Sequence, residues 1–173
     1  MHHQHRGGRI RFLIALTWRT HRLIRTLRPD AIHAHWIIPQ GLVMALLSTL
    51  NPRTPPYLLT SHGGDLYGLQ HPWMVRLKRW VIRRARRMTV VSTPMRAAAE
   101  QLGADPARLD VAPMGVDFDE RFTPGPAEAR VPGEILFVGR LVEKKGVRYL
   151  LNALPGVLAK VPHARLTIVG SGP

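Results

Sequence analysis

The 173-residue sequence predicts an α/β fold in which a parallel sheet carries helices on both faces, followed by the start of a second unit of the same kind. Short runs of β-branched and apolar residues alternate with helical patterns, and glycine or proline marks most of the boundaries. The composition, 45% hydrophobic and 21% charged, is that of a globular chain. We therefore expect a packed core.

The first part of the chain is predicted to contain four strands separated by helices. In chain order, the predicted elements are a helix over 10–27, a strand over 31–35, a helix over 39–50, a strand over 57–61, a helix over 72–87, a strand over 88–92, a helix over 94–102 and a strand over 108–112. The loop His62-Gly63-Gly64-Asp65, called the glycine loop below, follows the second strand. Strands and helices are therefore predicted to alternate in this part, with the glycine loop between the second strand and the helix that follows it.

A proline-rich stretch separates this part from a second one. Residues 119–133 contain three prolines, two glycines and little apolar content, which is typical of a linker. We assign 1–118 to a first domain and 134–173 to a second, with a strand over 134–138, a helix over 146–161 and a strand over 165–169. Two parallel strands and one helix cannot bury a domain-sized core, so the second domain is expected to be cut off.

Charge and cysteine content narrow the classes of function. Lys and Arg total 25 against 11 Asp and Glu, giving a formal charge of +14 that attracts phosphates, nucleic acids or anionic lipids. Because only four of the 25 cations are lysine, a bias towards arginine codons is the alternative explanation. The absence of cysteine excludes disulfides and thiolate metal sites. We identify no signal peptide, and the longest apolar run, 41–50, is shorter than the roughly 20 residues that span a bilayer.

Residues 138–146, called the phosphate segment below, are the most informative stretch. Gly139 follows a predicted strand and lets a ligand approach the backbone. The Arg140 guanidinium can grip phosphate oxygens in pairs, and Lys145 adds a point charge beside the start of a helix. Gly170 and Gly172, after the next strand, can bring backbone N–H groups to the same phosphates. This chemistry suits a diphosphate; the alternative is an ordinary solvated turn.

A histidine cluster supports a different hypothesis. His33 and His35 lie two residues apart on a strand and therefore share a face. With His62 and Asp65 they could ligate a metal, as in a metal-dependent hydrolase. The alternative is a set of polar side chains at strand ends that line a cleft.

The predicted helix over 72–87 combines apolar residues with many cations. It could lie on an anionic bilayer, with Trp73 and Trp80 at the interface. The other membrane-surface candidates are Arg76, Lys78, Arg79, Arg83, Arg84, Arg86 and Arg87. The alternative is a surface helix that packs its apolar stripe on the sheet. A basic module for binding nucleic acid or membrane is thus a further possible function.

Several motifs occur in the order found in a known family. They are His33-Ala34-His35 with Pro39 and Gly41, Ser61-His62-Gly63-Gly64-Asp65, Val90-Val91-Ser92, residues 111–117 with Phe122 and Pro124, the phosphate segment, and residues 168–173. Together they cover residues 30–173, and in this the chain resembles glycosyltransferase family 4, the retaining enzymes of the GT-B type. The resemblance implies two Rossmann-like domains, of which the first, residues 1–118, is on the acceptor side and the second, residues 134–173, binds the donor. It also implies transfer of a sugar from a nucleotide-diphosphate sugar to a hydroxyl acceptor with retention, without a metal or other cofactor.

The resemblance also implies roles for individual residues. Arg140 and Lys145 would hold the donor diphosphate and stabilise the leaving group, and His62 would lie near the transferred sugar. The glycines expected to approach the donor are Gly139, Gly170 and Gly172. The residues expected to line the cleft are Asp65, Gly115, Val116 and Asp117.

Two departures from the family pattern concern completeness. The family's glycine-rich loop after the first strand should precede Ile10, and its paired glutamates should lie beyond Pro173. We therefore expect a fragment that lacks the first strand and loop and most of the donor domain, and that is inactive alone. The acceptor stays open between lipid-linked or envelope saccharides and small molecules. We expect a cytoplasmic protein without a nucleic-acid partner, with attachment to the inner face of the membrane as an open alternative.

Overall fold

A computed structural model of the chain describes residues 4–126 and 130–173. Contacts divide the chain into two units, Met1–Gly115 and Val116–Pro173. The predicted linker over 119–133 lies inside the second unit, and its residues 127–129 lie outside the described residues.

The first unit contains the four predicted strands and the helices between them. Its elements are α1 (Gln4–Leu27), β1 (Ile32–His35), a π-helical turn (Ile37–Gly41), α2 (Leu42–Leu50), β2 (Tyr57–Ser61), α3 (Gly64–Tyr67), α4 (Pro72–Arg84), β3 (Arg87–Val90), α5 (Thr93–Gln101), a 3₁₀ turn (Pro106–Arg108) and β4 (Leu109–Val111). Helix α1 begins at Gln4 rather than at residue 10, and helix α4 ends earlier than predicted. Ala85 adopts an extended conformation (φ −66°, ψ 140°), so the helix stops at Arg84 and the chain turns into β3.

The four strands form one parallel sheet in the order β1-β2-β3-β4. Its register pairs Ala34 with Leu59, Leu59 with Met88, and Met88 with Leu109. These four side chains are all buried, and they form the core together with residues of the helices. The parallel α/β class is therefore as predicted.

Helices flank this sheet, in agreement with the predicted parallel α/β class. Because the strands are ordered as in the sequence, right-handed crossovers carry α2, α4 and α5 over the same face. The opposite face presents polar side chains, including His33, Thr60 and Thr89, and an exposed Arg87–Asp110 ion pair of 2.8 Å. One face of the sheet is thus apolar and covered by helices, while the other is polar.

The second unit is smaller. Its elements are β5 (Glu134–Val138), a 3₁₀ turn (Glu143–Lys145), α6 (Val147–Lys160) and β6 (Arg165–Val169). The two strands are parallel, with Glu134 opposite Arg165 and Val138 opposite Val169. No residue of this unit is buried, as far as the chain is described. As predicted, two strands and one helix do not enclose a core of their own.

None of the helices within the described residues has the length and apolar character needed to cross a membrane.

Candidate functional site

The phosphate segment lies beside the glycines that follow β6. Strand pairing continues past the ends of both strands, because the N–H of Gly139 donates to the oxygen of Val169 (3.0 Å) and that of Leu141 donates to the oxygen of Ser171 (2.8 Å). The predicted donor-binding glycines 139, 170 and 172 and Arg140 therefore share one edge of the second unit. This is the carboxyl edge of a parallel sheet, where α/β proteins bind ligands.

Close backbone approach explains the two glycines after β6. A Cβ on Gly170 would overlap the carbonyl oxygen of Gly139, and a Cβ on Gly172 would overlap that of Leu141. Only glycine allows the two loops to run this close together. At Gly139 itself, an added Cβ would meet only the Phe137 ring at 3.5 Å, an ordinary contact.

The cations of the phosphate segment are free to bind an anion. Arg140 and Lys145 are exposed, and neither forms an ion pair with a carboxylate of the described residues. Lys145 ends the 3₁₀ turn, and Gly146 follows it at φ 72° as the residue that caps α6. This left-handed conformation favours glycine and places Lys145 directly before the start of a 14-residue helix.

In the first unit, the Asp65 carboxylate organises the glycine loop from inside. One oxygen accepts a hydrogen bond from the Ile37 N–H (2.7 Å), and the other accepts from the Ser61 hydroxyl (2.9 Å) and the His62 N–H (3.2 Å). Asp65 is only 6% exposed. The expectation that it lines a cleft therefore needs correction: its side chain is buried and holds the backbone N–H groups of Ile37 and His62.

Lys78 was predicted on the membrane-facing surface of α4, and the structure contradicts this. Its side chain is fully buried, and its ammonium group donates to the carbonyl oxygens of Leu66 (2.8 Å), Gly68 (2.7 Å) and, more weakly, Asp65 (3.4 Å). Burial lowers the pKa of the ammonium, and the nearby Asp65 charge opposes that shift. Lys78 thus satisfies the carbonyls at the end of α3, the short helix that continues the glycine loop.

Four rings form a continuous row at the carboxyl ends of β1 and β2. Ring centroids lie 4.1 Å apart for His33 and His35, 5.1 Å for His35 and His62, and 5.2 Å for Trp36 and His62. We call these four residues the ring row. His35 Nδ1 lies 2.9 Å from His62 Nε2, so one nitrogen of His62 is occupied by its neighbour. His33 Nε2 lies 2.7 Å from the Thr60 hydroxyl, which in turn bonds to that of Thr89 (2.6 Å).

The surroundings of His33 disfavour protonation of its ring. Partial burial and, to a smaller extent, the neighbouring His35 and His62 lower the pKa of His33. The ring nitrogens engage one another and Thr60 rather than converging on a common point. Within the described parts of the chain, no group of three His, Cys, Asp or Glu is arranged to hold a metal ion. The geometry thus gives no support to the metal-dependent hydrolase hypothesis.

The remaining predicted cleft residues lie where the two units meet in sequence. Gly115 ends the first unit, and Val116 and Asp117 begin the second. All three are exposed, and the Asp117 carboxylate accepts a hydrogen bond from the Glu120 N–H (3.0 Å).

The other candidates for a membrane surface divide into two groups. Trp73, Arg76, Arg79, Arg83 and Arg84 are exposed on α4, and Trp80 is half-buried beneath Arg84, whose guanidinium lies 5.4 Å from the Trp80 ring centroid. Arg86 and Arg87 lie beyond the end of α4. Arg87 pairs with Asp110, so it belongs to the open face of the sheet.

Of the residues at this site, Trp36 was missed in the sequence and Lys78 was assigned to the wrong surface. Trp36 directly follows His35, and an aromatic residue next to paired histidines was the available signal. Lys78 falls in register with the buried Met74, Val81 and Ile82, so its place on the apolar side of α4 was readable from the spacing.

Proteins with a parallel α/β sheet bind ligands at the carboxyl ends of the strands, and polar side chains lie at that position here. The fold and the site therefore indicate a ligand-binding or catalytic protein. Comparison with known proteins narrows this class. Residues 4–120 match the model of Glycosyltransferase Family 4, and residues 132–173 match that of Glycosyl transferases group 1. The chain belongs to glycosyltransferase family 4.

Curated relatives are enzymes of the same kind. The chain is 30% identical to the 2-deoxystreptamine glucosyltransferase of Streptomyces kanamyceticus, over 88% of this chain and 44% of that protein. It is 27% identical to the glycogen synthase of Mycobacterium tuberculosis, over 86% and 37%. It is 37% identical to a GDP-mannose-dependent phosphatidylinositol monomannoside mannosyltransferase of Mycolicibacterium smegmatis, over 50% and 25%. The chain thus spans less than half the length of these relatives.

Proposed function

We propose that the protein to which this chain belongs transfers a sugar from a nucleotide-diphosphate sugar to a hydroxyl acceptor with retention of configuration. The observation that carries the proposal is the edge formed by the phosphate segment and the glycines after β6. Arg140 directly follows Gly139 at that edge, and Lys145 precedes the residue that caps α6; both side chains are exposed, and the glycines leave room for a close ligand. Family membership supports the same reading.

In this proposal, the two cations stabilise the departing diphosphate. Charge develops on the leaving oxygens as the bond to the sugar breaks, and fixed cations favour that state more than the ground state. Arg140 can bind two oxygens at once, while Lys145 contributes a point charge beside the amino end of α6. The chemistry then requires no metal or other cofactor.

His62 is proposed to lie near the transferred sugar. Its backbone is fixed by Asp65, and one ring nitrogen is engaged by His35, so the other is available to a substrate hydroxyl. We expect no turnover from this chain by itself, and the test is therefore one of binding.

Calorimetric titration with inorganic pyrophosphate and with UDP tests the donor site. We expect both to bind the wild-type chain and the double variant Arg140→Gln/Lys145→Gln to bind at least about tenfold more weakly, since each lost charge-assisted bond contributes about 1.5 kcal/mol or more. The matched control is Arg148→Gln/Lys160→Gln, which removes the same charge from exposed positions on α6. Equal weakening by both pairs would show a nonspecific charge effect and contradict the proposal.

Helix α4 of the first unit supports a second proposal, the attachment of the protein to an anionic membrane surface. Trp73, Arg76, Trp80 and Arg83 recur every three or four residues along α4 and so share its exposed side. Cations near an anionic surface contribute about 1 kcal/mol each, and tryptophan favours the interface. A relative named for action on phosphatidylinositol monomannoside is consistent with this location. The proposal thus places the protein in the cytoplasm, at the inner face of the membrane, with a lipid-linked acceptor.

Vesicle sedimentation tests the membrane proposal. We expect the chain to bind phosphatidylglycerol vesicles and not phosphatidylcholine vesicles, and Arg76, Arg79, Arg83 and Arg84→Gln to reduce binding at least about tenfold. The control replaces four exposed arginines of α1, namely Arg11, Arg19, Arg22 and Arg25, by glutamine. If both quadruple variants lose binding equally, total charge rather than α4 is responsible and the proposal fails.

A further inference from the structure

Trp36 holds an aromatic ring at a fixed and exposed position beside the histidines. The residue is 41% exposed and adopts φ 76° and ψ 132°, a conformation with positive φ that residues with a side chain rarely adopt. Its N–H donates to the oxygen of Thr60 (2.8 Å), and its own oxygen accepts from the N–H of Gly41 (3.0 Å). The backbone is thereby held in the conformation that directs the indole outward.

The glycine loop supports the indole from behind. A Cβ on Gly64 would lie 3.4 Å from the Trp36 ring, so the ring rests close to the loop backbone. The ring row continues from Trp36 through His62 to His35. A flat apolar surface is therefore bordered by imidazole nitrogens that can donate and accept hydrogen bonds.

We propose that Trp36 is a stacking surface for a pyranose ring, with His62 and His35 contacting hydroxyls at the edge of that ring. A pyranose has an apolar C–H face and a rim of hydroxyls, and the arrangement of one exposed indole beside two imidazoles matches both. The sugar can be the transferred one or that of the acceptor. The choice between the transferred sugar and the acceptor sugar rests on the proposed transferase function. The binding of a pyranose to Trp36 does not rest on it.

Nuclear magnetic resonance on the full chain tests the proposal. The four indole N–H signals, of Trp18, Trp36, Trp73 and Trp80, are followed during titration with methyl α-D-glucopyranoside. We expect the Trp36 and His62 ring signals to shift and saturation transfer to reach the ring C–H protons of the glycoside. Sorbitol, an acyclic polyol without a C–H face, is expected to leave them in place.

Two variants separate stacking from general exposure of tryptophan. Trp36→Ala should weaken glycoside binding about tenfold or more, and Trp36→Phe should retain most of it because a phenyl ring still stacks. The matched control is Trp73→Ala, since Trp73 is also exposed (58%) and also adjoins a histidine ring, that of His71 at 6.1 Å. Unchanged affinity in a folded Trp36→Ala, or equal losses in both alanine variants, would overturn the proposal.

Further probes distinguish this proposal from the transferase proposal. A shift of the Trp36 signal with UDP-glucose but not with UDP assigns the surface to the transferred sugar, and a shift with the methyl glycoside alone assigns it to the acceptor. Uridine alone shifting Trp36 would identify a nucleobase site instead and overturn the proposal. Failure of pyrophosphate to bind at Arg140 and Lys145, with glycoside binding intact, would remove the transferase proposal and leave this one standing.

Discussion

The glycine loop and the phosphate segment perform comparable tasks with different physical means. The loop in the first unit is held by two buried charges, Asp65 and Lys78, that bond to backbone groups on either side of it. The phosphate segment in the second unit has exposed cations, and its shape comes from glycine-to-backbone approach between Gly139 and Gly170. Buried side chains thus fix the backbone of the glycine loop, whereas the backbone of the phosphate segment is shaped by glycines that have no side chain.

This difference explains why the two regions tolerate opposite kinds of change. Buried charges are costly to leave unpaired, so the glycine loop should be sensitive to loss of a side chain. A glycine-packed turn should be sensitive to gain of one.

The largest effect is expected for Lys78→Met. The change leaves the carbonyls of Leu66 and Gly68 without their donor and removes the positive charge near Asp65, so the free energy of unfolding should fall by about 3 kcal/mol. Urea denaturation of the chain measures it. Arg79→Met, at the adjacent exposed position of α4, should change the stability by less than about 0.5 kcal/mol. Similar effects of the two substitutions would mean that the buried ammonium does not hold the loop.

A smaller and local effect is expected for Gly170→Ala. The added Cβ would overlap the Gly139 oxygen, so the loops must separate and the bonds donated by Gly139 and Leu141 must weaken. Amide hydrogen exchange at these two residues should accelerate about 30-fold, which corresponds to about 2 kcal/mol.

The control for this prediction is a glycine with open surroundings. Gly156 lies inside α6, and a Cβ there meets nothing within 4 Å. Gly156→Ala should leave the exchange of Gly139 and Leu141 unchanged, and should stabilise α6 by up to about 1 kcal/mol. Unaltered exchange in Gly170→Ala would show that close approach does not shape the phosphate segment.

The two regions also differ in how far the sequence could predict them. The donor-side prediction rested on local order, a strand followed by Gly139 and Arg140, and strand pairing then placed Gly170 beside it. Local patterns contain that information. Lys78 was misassigned because seven cations in one helix suggested an exposed face, whereas its partners are carbonyls twelve and ten residues away, at Leu66 and Gly68. A contact that depends on tertiary packing overrides composition.

The order of the strands within the sheet also depends on long-range contacts. Alternating strands and helices indicate a parallel sheet, but strand order decides which face each crossover covers. The order β1-β2-β3-β4 places the crossover helices on one face, and this order is a property of long-range pairing. The same order leaves His33, Thr60 and Thr89 in line on the open face.

The smallest predicted effect concerns protonation of His33, and it tests whether the ring row is electrostatically coupled. Since partial burial, His35 and His62 lower its pKa below 6.5, the unfolded chain binds a proton more readily than the folded chain does. Stability from this residue is therefore complete above the ordinary histidine pKa and is lost as the pH falls through 6.5 towards the folded value. Proton NMR titration of the His33 ring should give a midpoint below 6.5 in the wild type and a higher one in His35→Gln. Because burial is the larger cause, that variant should recover only part of the shift, and full recovery would mean that charge repulsion between the rings dominates instead.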